Sequence, residues 1–236
     1  MAKEKNQVNK KGIKYQIESK IGLSIIAVMA LISVLVVIVV YNLLINANNT
    51  ELQLDSEAVS LQVEKYFEPF ERMVEQFALD KDVKELLTTT KAGERMTDNA
   101  IYSTVLEKMV EVAGLDSENI QGVFIADLDS NASITSGGTI SGDDYDVTSR
   151  AWYDCTKTGE TMLTKTYVSA STEKTILSAA TPVYDENGTV AGVVGIDVVI
   201  ETVMNMMEDY TIGASGYSML LASDGTFVYH PNADLI

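Results

Sequence analysis

The chain has 236 residues, of which 46% are hydrophobic, and it carries 34 acidic side chains against 17 Lys and Arg, so its formal net charge is −17. The apolar content excludes a disordered protein, and the acidic charge makes nucleic acid and anionic membrane surfaces poor partners. The single cysteine, Cys155, excludes an internal disulfide framework.

The first predicted element is a membrane span. No charged residue interrupts the apolar run from Ile21 to Ile45, and as a helix this run would exceed the ~30 Å hydrocarbon core of a bilayer. A cleaved signal peptide is the competing interpretation, but the run is too long for one and lacks a convincing small-residue cleavage site.

The charges around the span predict its orientation. Residues 1–20 hold six of the 17 basic and two of the 34 acidic residues, which leaves 11 against 32 and a net charge of −21 for the rest of the chain. The positive-inside rule therefore predicts a cytoplasmic tail over residues 1–20, a plasma-membrane span over residues 21–45 and an extracytoplasmic remainder.

The next predicted element is a long helix over residues 46–79 that continues from the span. Apolar residues recur at steps of three and four from Val59 to Phe77, which is typical of an amphipathic helix. Pro69 removes one backbone donor, so a kink or a break is predicted near residues 65–68.

A helical region and then a strand-rich region follow. A short helix and a loop are predicted over residues 80–93, and a further helix is predicted with Asp98 as its N-cap and Gly114 as its stop. The pattern then changes to apolar, β-branched segments broken by Asp, Asn, Ser or Gly, which predicts strands joined by hairpins. These segments are residues 121–135, 174–200 and 216–230.

The first and third of these segments resemble each other, which indicates an internal duplication. Residues 80–209 would then form the first unit, while residues 210–236 would begin a second unit that has room only for its opening hairpin. We therefore expect the chain to be an incomplete copy of a longer protein.

The sequence offers little catalytic chemistry. The lone histidine, His230, has no recognisable nucleophile motif nearby, and a hydrolase would have to use it with a residue such as Ser215. One His and one Cys suit a zinc site badly. A calcium loop beginning at Asp127 lacks its essential glycine and glutamate, since Ala132 and Gly138 occupy those positions, so a hairpin turn is predicted there. We predict no enzyme activity, no metal and no cofactor.

One stretch, "YDVTSRAWYD" from Tyr145 to Asp154, favours ligand binding. The Arg150 guanidinium is a planar fork that fits a carboxylate, and Trp152 adds an indole N–H and a wall that excludes water. From spacing alone, an arginine stacked on a tryptophan at the surface is an equally good interpretation.

The layout and these residues resemble the double Cache sensor domains of bacterial methyl-accepting chemotaxis proteins, in particular the amino-acid-binding subgroup. The residues that match the Y-x4-R-x-W-Y … D signature of this subgroup are Tyr145, Arg150, Trp152, Tyr153 and Asp197. The resemblance implies an α/β (α+β) fold, in which a long N-terminal helix packs on a PAS-like antiparallel sheet with flanking helices.

The resemblance also implies a role for each matched residue. Arg150 and Trp152 would hold the carboxylate of a small amino acid, and Asp197 would hold its ammonium group. Tyr145 and Tyr153 would complete the polar cage. A zwitterion suits this set, because a cation and a carboxylate in one pocket leave neither of its charges unpaired.

Tyr167 lies where the family often has a ligand-facing tyrosine followed two residues later by an aspartate. Here that second position is Ser169, which puts the side-chain preference in doubt. The function implied is transmembrane amino-acid sensing in chemotaxis, usually as a homodimer through the long helix. The sensor region of a histidine kinase or of a cyclic-dinucleotide enzyme is the alternative, and a membrane-anchored hydrolase is a weaker one.

Overall fold

The computed structural model describes residues 2–142, 144–169, 174–210, 216–222, 225–232 and 235; the side chains of residues 2–11 and 13 are not described. The chain divides into two units, Met1–Ser60 and Leu61–Ile236. The described residues of the first unit all belong to helix α1, which spans Ala2–Ala78. Its large apolar side chains between Ile21 and Ile45 are 41% to 71% exposed. Within the described residues this is the one helix long and apolar enough to cross a membrane.

Helix α1 continues through Pro69, so the predicted break near residues 65–68 is wrong. A proline deprives the carbonyl four residues earlier of its donor, which here is the carbonyl of Lys65. Lys65 and Pro69 are both exposed, so water can donate a hydrogen bond to this carbonyl. Phe67 and Phe70 on the opposite side are buried and hold the helix in place.

Two shorter helices follow in the second unit, α2 over Lys81–Thr89 and α3 over Tyr102–Gly114. The Asp80 carboxylate caps α2 by accepting the backbone N–H groups of Asp82 and Val83. The predicted end of α3 at Gly114 is confirmed, but the predicted N-cap at Asp98 is wrong. Asp98 closes a short 3-10 helix, and α3 begins after Ile101 without a side-chain cap.

The strands confirm the predicted antiparallel sheet. Six strands form one sheet in the order β2-β1-β6-β5-β3, and β4 pairs with the same edge of β5. They are β1 Ile120–Asp127, β2 Ala132–Thr135, β3 Met162–Leu163, β4 Tyr167–Val168, β5 Thr175–Tyr184 and β6 Val190–Val199. The remaining elements are the helices α4 Cys155–Thr158 and α5 Glu201–Asp209 and a hairpin of β7 Leu220–Leu221 and β8 Phe227–Tyr229.

The two faces of the sheet have different neighbours, because side chains alternate along each strand. On one face, α2 and α3 cover β6 and β1. Val123, Ile125, Val194 and Ile196 point to this side and are at most 1% exposed. Each such side chain stabilises the fold by about 1.5–3 kcal/mol relative to an exposed one, so this face is the main core.

The other face carries a row of small residues that leaves room above the sheet. Gly195 pairs with Phe124 on β1 and with Ala180 on β5. A Cβ atom on Gly195 would lie 2.1 Å from Cζ of Phe124, so the phenyl ring occupies the space that a side chain at position 195 would take. Only glycine at this position permits the ring to lie flat on the sheet.

We predict that Gly195→Ala lowers the free energy of unfolding by about 1–3 kcal/mol, because the added methyl must displace the Phe124 ring. Thermal unfolding of the full chain in detergent, followed by the fluorescence of Trp152, its only tryptophan, measures this. Gly137→Ala is the matched control, since the nearest atom to its new Cβ lies at 3.8 Å. Equal unfolding temperatures for the two variants would contradict the prediction.

Candidate ligand-binding site

A cavity of about 330 Å³ lies above this small-residue face of the sheet. Its lining residues are Phe124, Ser133, Thr135, Tyr145, Ser149, Arg150, Ala151, Trp152, Tyr167 and Asp197. Five of the six predicted site residues are thus brought together. Tyr153 is not among them: it packs on the hydrophobic cluster behind Trp152, with the ammonium of Lys157 5.5 Å from its ring centroid.

The segment that carries Arg150 is held by the turn between β1 and β2. Asn131 adopts a left-handed φ of 54° in this turn, a conformation that asparagine tolerates better than most residues. Its side-chain amide donates to the carbonyl of Tyr145 at 2.6 Å and accepts the N–H of Val147 at 3.1 Å. Arg150 itself is extended between two short 3-10 helices, Val147–Ser149 and Ala151–Asp154.

Arg150 stacks on Tyr145 and makes no ion pair with any described carboxylate. Its Cζ atom lies 4.1 Å from the centroid of the Tyr145 ring, a distance typical of a cation–π contact. Burial raises the pKa of Tyr145, while the charge of Arg150 opposes that shift and the charge of Asp197 adds to it. The charges of Arg150 and Asp197 therefore act on the pKa of Tyr145 in opposite directions.

Trp152 forms an apolar wall of the cavity. It is 7% exposed, and its ring centroid lies 5.2 Å from that of Phe124. The two rings belong to one buried cluster with Val147, Ala180 and Val193. Its indole N–H donates to no described residue. The cavity thus combines a water-excluding wall with a donor that has no partner in the described chain.

Asp197 lies on β6 and faces the cavity from the sheet. Its Oδ1 atom accepts two hydrogen bonds, one from the Ser178 hydroxyl at 2.7 Å and one from the Tyr167 hydroxyl at 3.1 Å. Burial raises the pKa of Asp197, and these two hydrogen bonds oppose the rise. Burial, together with the charge of Asp197, also raises the pKa of Tyr167, so its hydroxyl remains a donor.

Sequence reasoning missed Asn131 as an anchor, Phe124 as the cavity floor and Ser178 as a partner of Asp197. The pairing of β5 with β6 places Ser178 directly opposite Asp197, but that register is not visible in a single sequence. Ser169, in place of the family's aspartate, is buried outside the cavity lining, where the Gln121 side chain donates to its hydroxyl.

The residues considered for catalysis lie elsewhere. Cys155 is 0% exposed, and burial raises the pKa of its thiol to about 12, which makes it a poor nucleophile. His230 accepts the backbone N–H of Asn232 through Nδ1, and Ser215 lies outside the described residues. Among the described residues, no group of three or more His, Cys, Asp and Glu could hold a metal ion.

Known proteins resemble this chain in both sequence and structure. A methyl-accepting chemotaxis protein of Pseudomonas aeruginosa, PctB, is 34% identical over 94 residues, which are 39% of this chain and 15% of that protein. Methyl-accepting chemotaxis protein McpB of Bacillus subtilis is 25% identical over 166 residues, or 64% of this chain and 24% of that protein. The chain thus matches only about a quarter or less of these relatives' lengths.

Two solved structures have the same fold. The ligand-binding domain of the Pseudomonas aeruginosa amino acid chemoreceptor PctC, in complex with GABA, aligns with a TM-score of 0.61 at 22% identity and covers 79% of this chain and 77% of that one. The ligand-binding domain of Pseudomonas fluorescens chemoreceptor CtaA, in complex with L-alanine, aligns with a TM-score of 0.58 at 21% identity and covers 79% and 73%.

The family is settled by a match that covers most of the chain. The dCache_1 model, described as a Cache domain, matches residues 40–236. The matched part includes all six strands of the sheet and the whole cavity. The chain belongs to the Cache domain family.

Proposed function

We propose that this chain is the extracytoplasmic sensing part of a chemoreceptor and that its cavity binds a small amino acid. One observation carries the proposal: Arg150 and Asp197 line the same cavity, and neither forms an ion pair with a described residue. Opposite charges that share a cavity without a partner are suited to a ligand that carries both charges. At about 330 Å³ the cavity is near the lower limit for ligand pockets.

Each ligand group has a complementary side chain. The planar guanidinium of Arg150 can take both carboxylate oxygens, and the Trp152 indole N–H adds one donor. Asp197 is the acceptor for the ammonium group, because its Oδ2 atom accepts no hydrogen bond from a described residue. Tyr167, which donates to Asp197, and Tyr145, which stacks on Arg150, complete the polar wall. Tyr153 would act only by packing behind Trp152.

The comparisons support the same ligand class. The two solved neighbours hold GABA and L-alanine, both of which carry a carboxylate and an ammonium group. The curated relatives are methyl-accepting chemotaxis proteins. Since the chain spans a small part of those relatives, output through chemotaxis belongs to the proposal. A histidine kinase or a cyclic-dinucleotide enzyme as the parent would use the same sensor with another output.

The competing function, a membrane-anchored hydrolase, has less support. These relatives are chemoreceptors, and the Nδ1 atom of His230 is engaged by Asn232. Release of product from a candidate ester or peptide, abolished by His230→Gln, would favour the hydrolase. Stabilisation by an amino acid without turnover favours the sensor.

We infer further that residues 1–20 are cytoplasmic, that residues 21–45 span the plasma membrane and that the chain dimerises through α1. Residues 46–79 and 80–209 would form the long helix and the ligand-binding subdomain, and residues 210–236 would begin the membrane-proximal subdomain. The basic tail and the acidic remainder support this orientation.

Ligand binding should weaken when either charged residue of the cavity is replaced. We predict that at least one proteinogenic amino acid raises the unfolding temperature of the full chain in detergent. Asp197→Asn should weaken its binding roughly 100-fold or more, because the ammonium would then face a neutral amide. Arg150→Lys should weaken binding on the order of 10-fold, because the charge stays but the fork is lost.

The matched control is Asp154→Asn. Asp154 lies near Arg150 in sequence but pairs with Lys157 at 2.6 Å outside the cavity, so binding should stay within about two-fold of the parent. If Asp197→Asn binds as tightly as the parent, the assignment of the site is wrong.

The orientation is testable by cysteine labelling, because the buried Cys155 should not react. We predict that Asn49→Cys reacts with a membrane-impermeant maleimide in intact cells. Asn6→Cys should react only after lysis, and the parent chain is the control for background. Labelling of Asn6→Cys in intact cells would contradict the predicted orientation of the span.

A further inference from the structure

We propose that Ser178, which matches no position of the sequence signature, is a positioning residue that holds the Asp197 carboxylate so that Oδ2 faces the cavity. This inference rests on the proposed function, since it assigns Asp197 to the ligand ammonium. It concerns how the chain prepares that carboxylate before any ligand binds.

The first step is the geometry at Asp197. The Ser178 and Tyr167 hydroxyls both donate to Oδ1, at 2.7 and 3.1 Å. They also lie 2.9 Å from each other, so the three oxygens form a closed group on one side of the carboxylate. Because Oδ1 accepts two hydrogen bonds, rotation of the carboxylate would break both of these hydrogen bonds. Oδ2 is therefore held as the acceptor that remains for a ligand.

The second step is the rigidity of Ser178. It is 0% exposed and lies directly opposite Asp197 in the β5–β6 pair. Its N–H donates to the Thr164 hydroxyl at 2.8 Å, and its carbonyl accepts the Thr164 N–H at 2.9 Å. Both backbone groups of Ser178 are thus fixed by one neighbour, which leaves its hydroxyl free to serve the carboxylate. A hydroxyl held in this way needs no reorganisation when a ligand enters.

The third step is the charge state of Asp197. Burial raises its pKa, and the hydrogen bonds from Ser178 and Tyr167 are the interactions that lower it again. The other titratable or charged groups of the cavity are Tyr145 and Arg150, in the segment that packs over the sheet. On the β1 side, Asp197 pairs with Gly122, which carries no side chain to contribute. The two hydroxyls therefore provide the local compensation for burial.

The sign of the pH effect follows from this arrangement. Only the ionised carboxylate attracts an ammonium group, so binding requires a pH above the pKa of Asp197. Removing the Ser178 hydroxyl removes a bond to the ionised form and raises that pKa further. The acidic limit of binding should then move to higher pH, which a general loss of packing would not cause.

Two measurements on the full chain test the proposal. Without ligand, the Asp197 carboxyl carbon is titrated by NMR on 13C-aspartate-labelled chain, with its signal assigned by its loss in Asp197→Asn. We expect Ser178→Ala to titrate at a higher pH than the parent. With L-alanine as the probe, we expect binding about 10-fold or more weaker at neutral pH, the size expected for one hydrogen bond to a charged group.

The matched control is Thr181→Val, which removes a buried hydroxyl from the same strand but from the opposite face, where it bonds to Thr161. It should leave both the titration and the binding of L-alanine unchanged. An unshifted titration in Ser178→Ala would overturn the proposal, whatever the chain binds. If the parent binds no amino acid while the titration shifts as expected, the proposed function fails and the positioning role of Ser178 stands.

Discussion

The structure of the cavity depends on an aspartate carried by an otherwise apolar strand. Ile196 and Val198, on either side of Asp197, are fully buried, and a charge taken out of water costs several kcal/mol unless it is compensated. Two hydroxyls compensate one oxygen of the carboxylate. The other oxygen and the guanidinium of Arg150 are left without ion partners in the described chain. A zwitterion that satisfies both would stabilise the folded chain by mass action.

This arrangement exists only in one register of the sheet. Gly122, Asp197 and Ser178 lie side by side across β1, β6 and β5, and a slip of one residue would turn Asp197 toward the helices. The turn Asp185–Gly188 helps to set the register of β5 and β6. Gly188 has a φ of 80°, which favours glycine, and the Asp185 carboxylate accepts the N–H groups of residues 187 and 189.

The sequence predicted the helices and strands, which depend on local pattern, and most of the site residues, which follow the signature. The period of the apolar residues indicated the helices and the strands, and four of the five signature residues, all except Tyr153, line one cavity. Asp98 failed as an N-cap because it ends a 3-10 helix, and α3 begins only at Tyr102. A cap depends on the local path of the backbone, which composition does not specify.

The remaining features depend on contacts between strands that are far apart in sequence. Tyr153 matches the signature as well as Trp152 does, but neighbours on a 3-10 helix point in different directions, and only Trp152 reaches the cavity. Similarly, nothing around Gly195 in the sequence indicates that the ring of Phe124, 71 residues earlier, takes its side-chain space. Such pairs follow from the sheet register and become visible only in three dimensions.

The position of Asp197 also suggests how ligand binding could affect contacts outside the cavity. Two residues later, the carbonyl of Val199 accepts a hydrogen bond at 3.0 Å from Tyr66 on α1. Tyr167, which donates to Asp197, also lines a second cavity with Met204 on α5 and Val228 on β8. A ligand held by Asp197 would therefore lie close to one strand end that contacts α1 and to one side chain, Tyr167, that lines the second cavity. Coupling requires only that the ligand favours one arrangement of these contacts over another, since a ligand can shift an equilibrium only by its difference in affinity for the two states.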